Sequence, residues 1–134
     1  MKALLIRIGV DQAYGGWNAP VDPSTWEFAY VPIPEGRNAR CHKGLERRYC
    51  ECVGPVCQFA GAHGCDVTLP STLADRAMHL DPDFEMLTYG DDGGRRGTGL
   101  TTMAAGDLLV FYASLRPIRP CEHRLVYALG PAKE

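Results

Sequence analysis

The sequence predicts a small α+β domain: a mixed or antiparallel β-sheet or open barrel of about five strands with one or two short helices. Three observations predict it. Aliphatic or alternating runs of strand length recur at residues 3–9, 26–33, 108–114 and 124–129. Only residues 69–77 carry a helix start, with Pro70 or Ser71 in the first turn. The whole chain has 134 residues, the size of one domain that buries roughly two-thirds of its unfolded surface.

Each element follows from its own residues. Residues 3–9 place Leu4, Ile6 and Ile8 on one face, the better candidate for the core, and end at Gly9. A loop over 11–24 holds Gly15, Gly16, Asn18, Pro20 and Pro23, all turn formers. Residues 26–33 alternate, with Trp26, Phe28 and Tyr30 on one face. Pro32 has no amide hydrogen, so this strand ends there or runs along an edge. Residues 34–70 have neither period, an unusually long structureless segment for a compact domain. A brief strand is expected over 83–89, then a charged, glycine-rich loop over 90–99. Gly106-Asp107 turns into the best strand of the chain, 108–114, and 124–129 form the last.

Composition excludes several functions. Fourteen basic residues balance sixteen acidic ones, which excludes a uniformly basic nucleic-acid coat. With 46% apolar and 22% charged residues the chain is not a disordered acidic tail. No apolar run approaches the roughly 20 residues that cross a bilayer, so no membrane partner is expected. The opening run is broken by Arg7 too early for a secretory signal. A cytoplasmic location is therefore expected, with cysteines reduced or metal-bound.

Five of the six cysteines fall within residues 41–65. Cys41, Cys50, Cys52, Cys57, Cys65 and His63, with His42 beside them, offer the thiolate and imidazole ligands that suit zinc. A subset closing one site would fold the 34–70 insert. The spacing differs from a paired knuckle, since Cys50 and Cys52 are one residue apart and Cys52 and Cys57 four. Unmetallated thiols are the alternative. In the same insert Arg37, Arg40, Lys43, Arg47 and Arg48 face only Glu46. Such a patch suits phosphate recognition, or serves as a solvated loop.

Two further constellations carry possible chemistry. In an extended segment His79, Asp81 and Asp83 project on one side, where they could orient an imidazole or hold a cation. Otherwise Asp81-Pro82 is a turn with His79 capping it. Tyr14, Trp17 and Asn18 in one glycine loop, and Tyr89 and Asp91 in another, pair an aromatic face with an amide or carboxylate. A base pocket needs that pairing, but loop anchors show it too. No dinucleotide or phosphate-loop glycine motif, nucleophile elbow or zinc-protease motif occurs.

The run from Met1 to Asp11 with Tyr14-Gly-Gly-Trp-Asn-Ala-Pro20 resembles the third family of nucleotide-modification-associated domains. The likeness continues through Val31-Pro-Ile-Pro-Glu35, His79-Leu-Asp-Pro-Asp-Phe-Glu85, Leu87-Thr-Tyr-Gly-Asp91 and Gly106-Asp-Leu-Leu-Val-Phe-Tyr-Ala113. It covers most of the chain outside 36–68. The Gly106-Asp107 turn into its strand is also similar, on that motif alone, to PUA-like and EVE-like barrels that bind modified bases. The first resemblance implies association with modified bases of phage and bacterial DNA. It draws attention to Asp11, Trp17, Asn18, His79, Asp81, Asp83, Tyr89, Asp91 and Tyr112. The cysteine-rich insert lies outside the family pattern. Members are expected to continue further, so this chain is expected to be a short or truncated member.

Three functions follow as expectations. In the first, the domain binds a nucleotide or nucleic acid in base modification or its recognition. Trp17, Tyr89 or Tyr112 stacks on the base, Asn18 and Asp91 contact its edge, and Arg95, Arg96 and the insert meet phosphates. In the second, a small enzyme uses His79 as acid or base, with Asp11, Asp81, Asp83 or Asp91 orienting it or holding a cation. In the third, a structural domain carries a zinc-stabilised loop. The cofactor, zinc in the insert apart, and the oligomeric state are left open.

Overall fold

The computed structural model describes residues 1–36, 47–90, 97–122 and 126–129, with residues 12, 52 and 126–129 described by their backbone alone. It is an α+β domain around an open sheet. Its spine is β3 (Leu108–Pro117), the long apolar strand. β1 (Ala3–Arg7) runs parallel to the first half of β3, Ala3 opposite Leu108 and Arg7 opposite Tyr112. β2 (Ala19–Val21) runs parallel to its last residues, and β4 (Val126–Leu129) pairs antiparallel with Tyr112–Leu115.

Among the described residues four strands stand where about five were expected. The segment 26–33 pairs through isolated bridges at Phe28 and Pro32. Its beginning is spent on a turn: the Trp26 amide donates to Asp22 O, and Trp26 takes a left-handed φ of 64°. Ala29 and Val31 face the core and the aromatic residues Trp26 and Phe28 face out. Residues 83–89 likewise reduce to one bridge, Asp83 with Thr88. The barrel expectation finds no further support in this open sheet.

The sheet is extended by single pairings. Val10 donates to Val31 O and Ile33 to Ile8 O, while His79 donates to Ile33 O and Met78 to Arg47 O. Residues 8–10, 31–35, 77–79 and 47–49 thus lie side by side. Gly9 is required where this layer crosses β3, since a Cβ there would collide with that of Ala113 and lie 3.2 Å from its Cα.

The segment 34–70 holds a helix that the sequence reading left out. After a 3-10 turn at Tyr49–Cys52, α1 spans Gly54–His63, with Pro55 in its first turn. Its cap Gly64 is left-handed at φ 60°. Proline at the start and glycine past the end are helix boundary signals. The apolar stripe between them consists of only Val56 and Phe59, too thin to stand out as a period. The expected helix at 69–77 shrinks to one turn, α2 (Ser71–Ala74), which buries Leu73.

The core joins these parts: Val10, Val21, Val31, Ala113 and Leu115 from the sheet layer, Val56 and Phe59 from α1, with Tyr49, Leu73 and Met78. Apolar burial of this kind is the main favourable term in folding. Among the described residues no helix is long and apolar enough to cross a membrane.

Candidate functional site

Two strands set the floor of the candidate site. In the parallel register Arg7 lies opposite Tyr112, and both border a cavity of ≈580 Å³. Leu4, Ile6 and Leu100 add apolar wall, and His79 and Tyr89 close it. Arg7 and His79 are held from behind. Arg7 Nη1 lies 2.6 Å from Asp11 Oδ2, and Asp11 Oδ1 accepts the Ala13 amide. Asp11 thus orients the guanidinium.

His79 is anchored by its amide on Ile33 O. Its Nδ1 accepts the Asp81 amide at 3.3 Å, and its Nε2 lies 4.0 Å from Glu35 Oε1. A ring accepting at Nδ1 carries its proton, when neutral, on Nε2. The Tyr89 ring packs on Phe111 with centroids 5.4 Å apart.

A second, more apolar cavity of ≈730 Å³ shares Tyr89 and Leu100 with the first and is walled by Phe84, Leu87, Met103 and Phe111. Phe84 stands edge-on to both Tyr30 and Phe111. The pair forms one groove, polar at the Arg7 and His79 end and aromatic at the other.

The sequence-derived candidates fall into four groups. The groove gathers His79, Tyr89 and Tyr112, with Asp11 behind and Asp83 in the wall of its aromatic half, together with Arg7, which is not among the sequence-derived candidates. Asp81 and Asp83 do not form one row with His79. The Asp81 carboxylate sits beside Gly90, and Asp83 Oδ1 accepts the Glu85 and Met86 amides, closing the turn before Thr88. Trp17 and Asn18 line a different cavity, which shares no wall with the groove. Asp91, Arg95 and Arg96 lie outside the described residues, as do Cys41 and the side chain of Cys52, and Arg37, Arg40 and Lys43 of the basic patch.

Of the metal candidates, Cys50 and Cys57 are exposed free thiols, and Cys65 is a half-buried free thiol packed on the core. Among the described residues no three His, Cys, Asp or Glu side chains are placed to hold a metal ion. His63 is occupied otherwise. Its Nδ1 lies 3.0 Å from Asp22 Oδ2 and its Nε2 3.1 Å from Glu27 Oε2, with Phe59 stacked at 4.3 Å. The Ser24 amide holds the Asp22 carboxyl below the usual carboxylate range, helped by Arg119, the Ser24 hydroxyl and His63 against the opposing effect of burial. This cluster, buried at Asp22 and nearly so at His63, pins the end of α1 to the turn after β2. No sequence signal marked it, because its parts lie 41 residues apart.

An open, mostly parallel sheet with a cation, an imidazole and aromatic rings around one groove defines a small α+β domain with a cleft of mixed polar and aromatic lining. The model of the family nucleotide modification associated domain 3 matches residues 2–130, and the chain belongs to that family. This membership links it to nucleotide modification. No curated protein and no solved structure matches the chain.

Proposed function

We propose that this domain binds a nucleotide or nucleic acid in the course of base modification or the recognition of modified bases, and that the Arg7–His79–Tyr89–Tyr112 groove takes the nucleotide. The observation that carries this reading is the convergence of those four side chains on one ≈580 Å³ cavity in a member of this family. Its size suits a nucleotide unit. Tyr89 and Tyr112 offer faces or edges to a base. Arg7, held by Asp11, offers forked donors to a phosphate, and Arg95 and Arg96 are expected to meet further phosphates. The free thiols of Cys50, Cys57 and Cys65 support a reducing, cytoplasmic setting. The likeness to small modified-base-binding barrels stays part of the proposal, supported by the Gly106-Asp107 turn into the long β3.

The test is binding to short oligonucleotides with normal and modified bases, followed by fluorescence anisotropy across salt concentrations. Affinity is expected to fall as salt rises, and Tyr89→Ala and Arg7→Gln to weaken it at least about tenfold, the effect of one stacked base or charge-assisted contact. Salt-insensitive binding, or variants that bind like the parent, would overturn the reading.

A second reading is supported by His79 itself, whose ring lines the cavity and whose Nδ1 accepts the Asp81 amide. As an enzyme, the domain would use His79 to give or take a proton on the bound base. His79→Gln would then abolish turnover while leaving affinity within about threefold. A pure binding module has no turnover to lose.

A further inference from the structure

Asn18 lies just before β2 and is only 3% exposed. Its Nδ2 donates to Ser114 O at 3.2 Å, which settles the amide orientation, since only the nitrogen end can donate to a carbonyl. Oδ1 is left with no hydrogen-bond donor among the described residues. A buried acceptor without a donor is uncommon in folded proteins. The same residue forms part of the wall of the third cavity, ≈450 Å³, with Trp17, Asp66, Thr68, Arg116 and Ile118. Arg116 is exposed, and its Nη2 donates to Gly16 O at 3.2 Å, which leaves further guanidinium donors free to bind an anion.

We infer that this cavity is a second nucleotide-unit site, in which a base stacks on Trp17, gives its N–H to Asn18 Oδ1, and leaves its phosphate to Arg116. The residues supply one of each contact such a ligand needs. They are an apolar aromatic face, a buried acceptor with no donor among the described residues, and a cation at the rim. Oδ1 is closed to solvent, so the ligand reaches it by displacing a wall. Trp17, half-buried and packed against the core, is the aromatic part of that wall. The site's existence rests on the orphaned acceptor, and its ligand class rests on the nucleotide-binding reading of the groove. The ligand is a free mononucleotide or one unit of a strand threaded past the groove.

The test uses the full chain carrying Trp26→Phe, which leaves Trp17 as the sole tryptophan. Its fluorescence is followed during titration with thymidine 5′-monophosphate, its N3-methyl analogue, and an oligothymidylate. Thymine has one base N–H, so the methyl analogue removes the donor that Asn18 Oδ1 lacks. Quenching of Trp17 is expected, with the analogue about fivefold or more weaker, the value of one hydrogen bond. Arg116→Gln, a surface change, is expected to weaken binding about tenfold. Asn18→Leu should remove the preference for the unmethylated base, and circular dichroism checks its fold. Stronger quenching by the oligothymidylate than by the monomer identifies a strand, and equal quenching a free nucleotide.

An unchanged Trp17 signal, or quenching that neither the methyl group nor Arg116→Gln affects, overturns the second site. Tyr89→Ala judges the groove separately: if it leaves anisotropy-detected binding intact while Trp17 still responds, the groove reading fails and this site stands.

Discussion

Tyr49 joins the cysteine-bearing segment to the sheet, and removing its hydroxyl tests that joint. Tyr49 is 1% exposed. Its hydroxyl donates to Pro32 O at 2.6 Å, and its own amide donates to Arg76 O at 3.2 Å. Tyr49→Phe keeps the ring in the core and deletes one short hydrogen bond, leaving the Pro32 carbonyl without that donor. Such a loss costs about 1–2 kcal/mol, or a fall of about 3–8 °C in melting temperature for a domain of this size.

Tyr30→Phe is the matched control. The Tyr30 hydroxyl sits 3.5 Å from Ile8 O, too long for an effective bond, so its loss should stay within about 0.5 kcal/mol. Urea unfolding followed by circular dichroism, with both slopes compared, measures the pair. Equal effects of the two substitutions, or a Tyr49→Phe protein as stable as the parent, would refute the reasoning.

The same residue predicts alkaline behaviour. Burial pushes the Tyr49 phenol above its ordinary pKa of 10.0. Its contribution is therefore whole below about pH 10 and is lost as pH climbs toward the folded value. Tyr49→Phe should flatten part of that decline.

Three further outcomes are expected. Gly9→Ala should destabilise the domain by about 1–3 kcal/mol in thermal or urea unfolding, as overpacking does, because its methyl meets Ala113. Asp107 accepts amide hydrogens from Lys2 at 2.7 Å and Ala104 at 3.1 Å, and these bonds hold its carboxyl below 3.8. A lowered folded pKa gives stability that is present above the unfolded value and lost as pH falls through the folded one. Melting temperature should thus drop below about pH 3.8, less steeply in Asp107→Asn, and an identical acid limb in the variant would contradict this. Cys50 and Cys57 should react rapidly with a thiol reagent in the native protein, while the half-buried Cys65 reacts more slowly. Protection of Cys50 and Cys57 that a chelator removes would instead favour the zinc-stabilised insert.

Much of the architecture was legible locally. The strands at 3–9 and 108–114 were visible because each is a contiguous apolar run of strand length, and both are found, β3 extending to Pro117. The helix at Gly54–His63 was hidden. Two buried positions make no period, although Pro55 and Gly64 marked its ends. The aromatic alternation at 26–30 suggested a strand face, but the turn between Asp22 and Trp26 consumes its start.

By itself the sequence determined the α+β class, the two main strands and the family likeness, because propensity, turn chemistry and ordered motifs are properties of neighbouring residues. Only the tertiary structure decided which side chains share a site. It set Arg7 opposite Tyr112 by strand register, separated Trp17 and Asn18 from His79 and Tyr89, and locked His63 between Asp22 and Glu27. Such pairings depend on long-range ladders and core packing, which bring together residues from 36 to more than 100 positions apart, a distance at which local pattern carries no information.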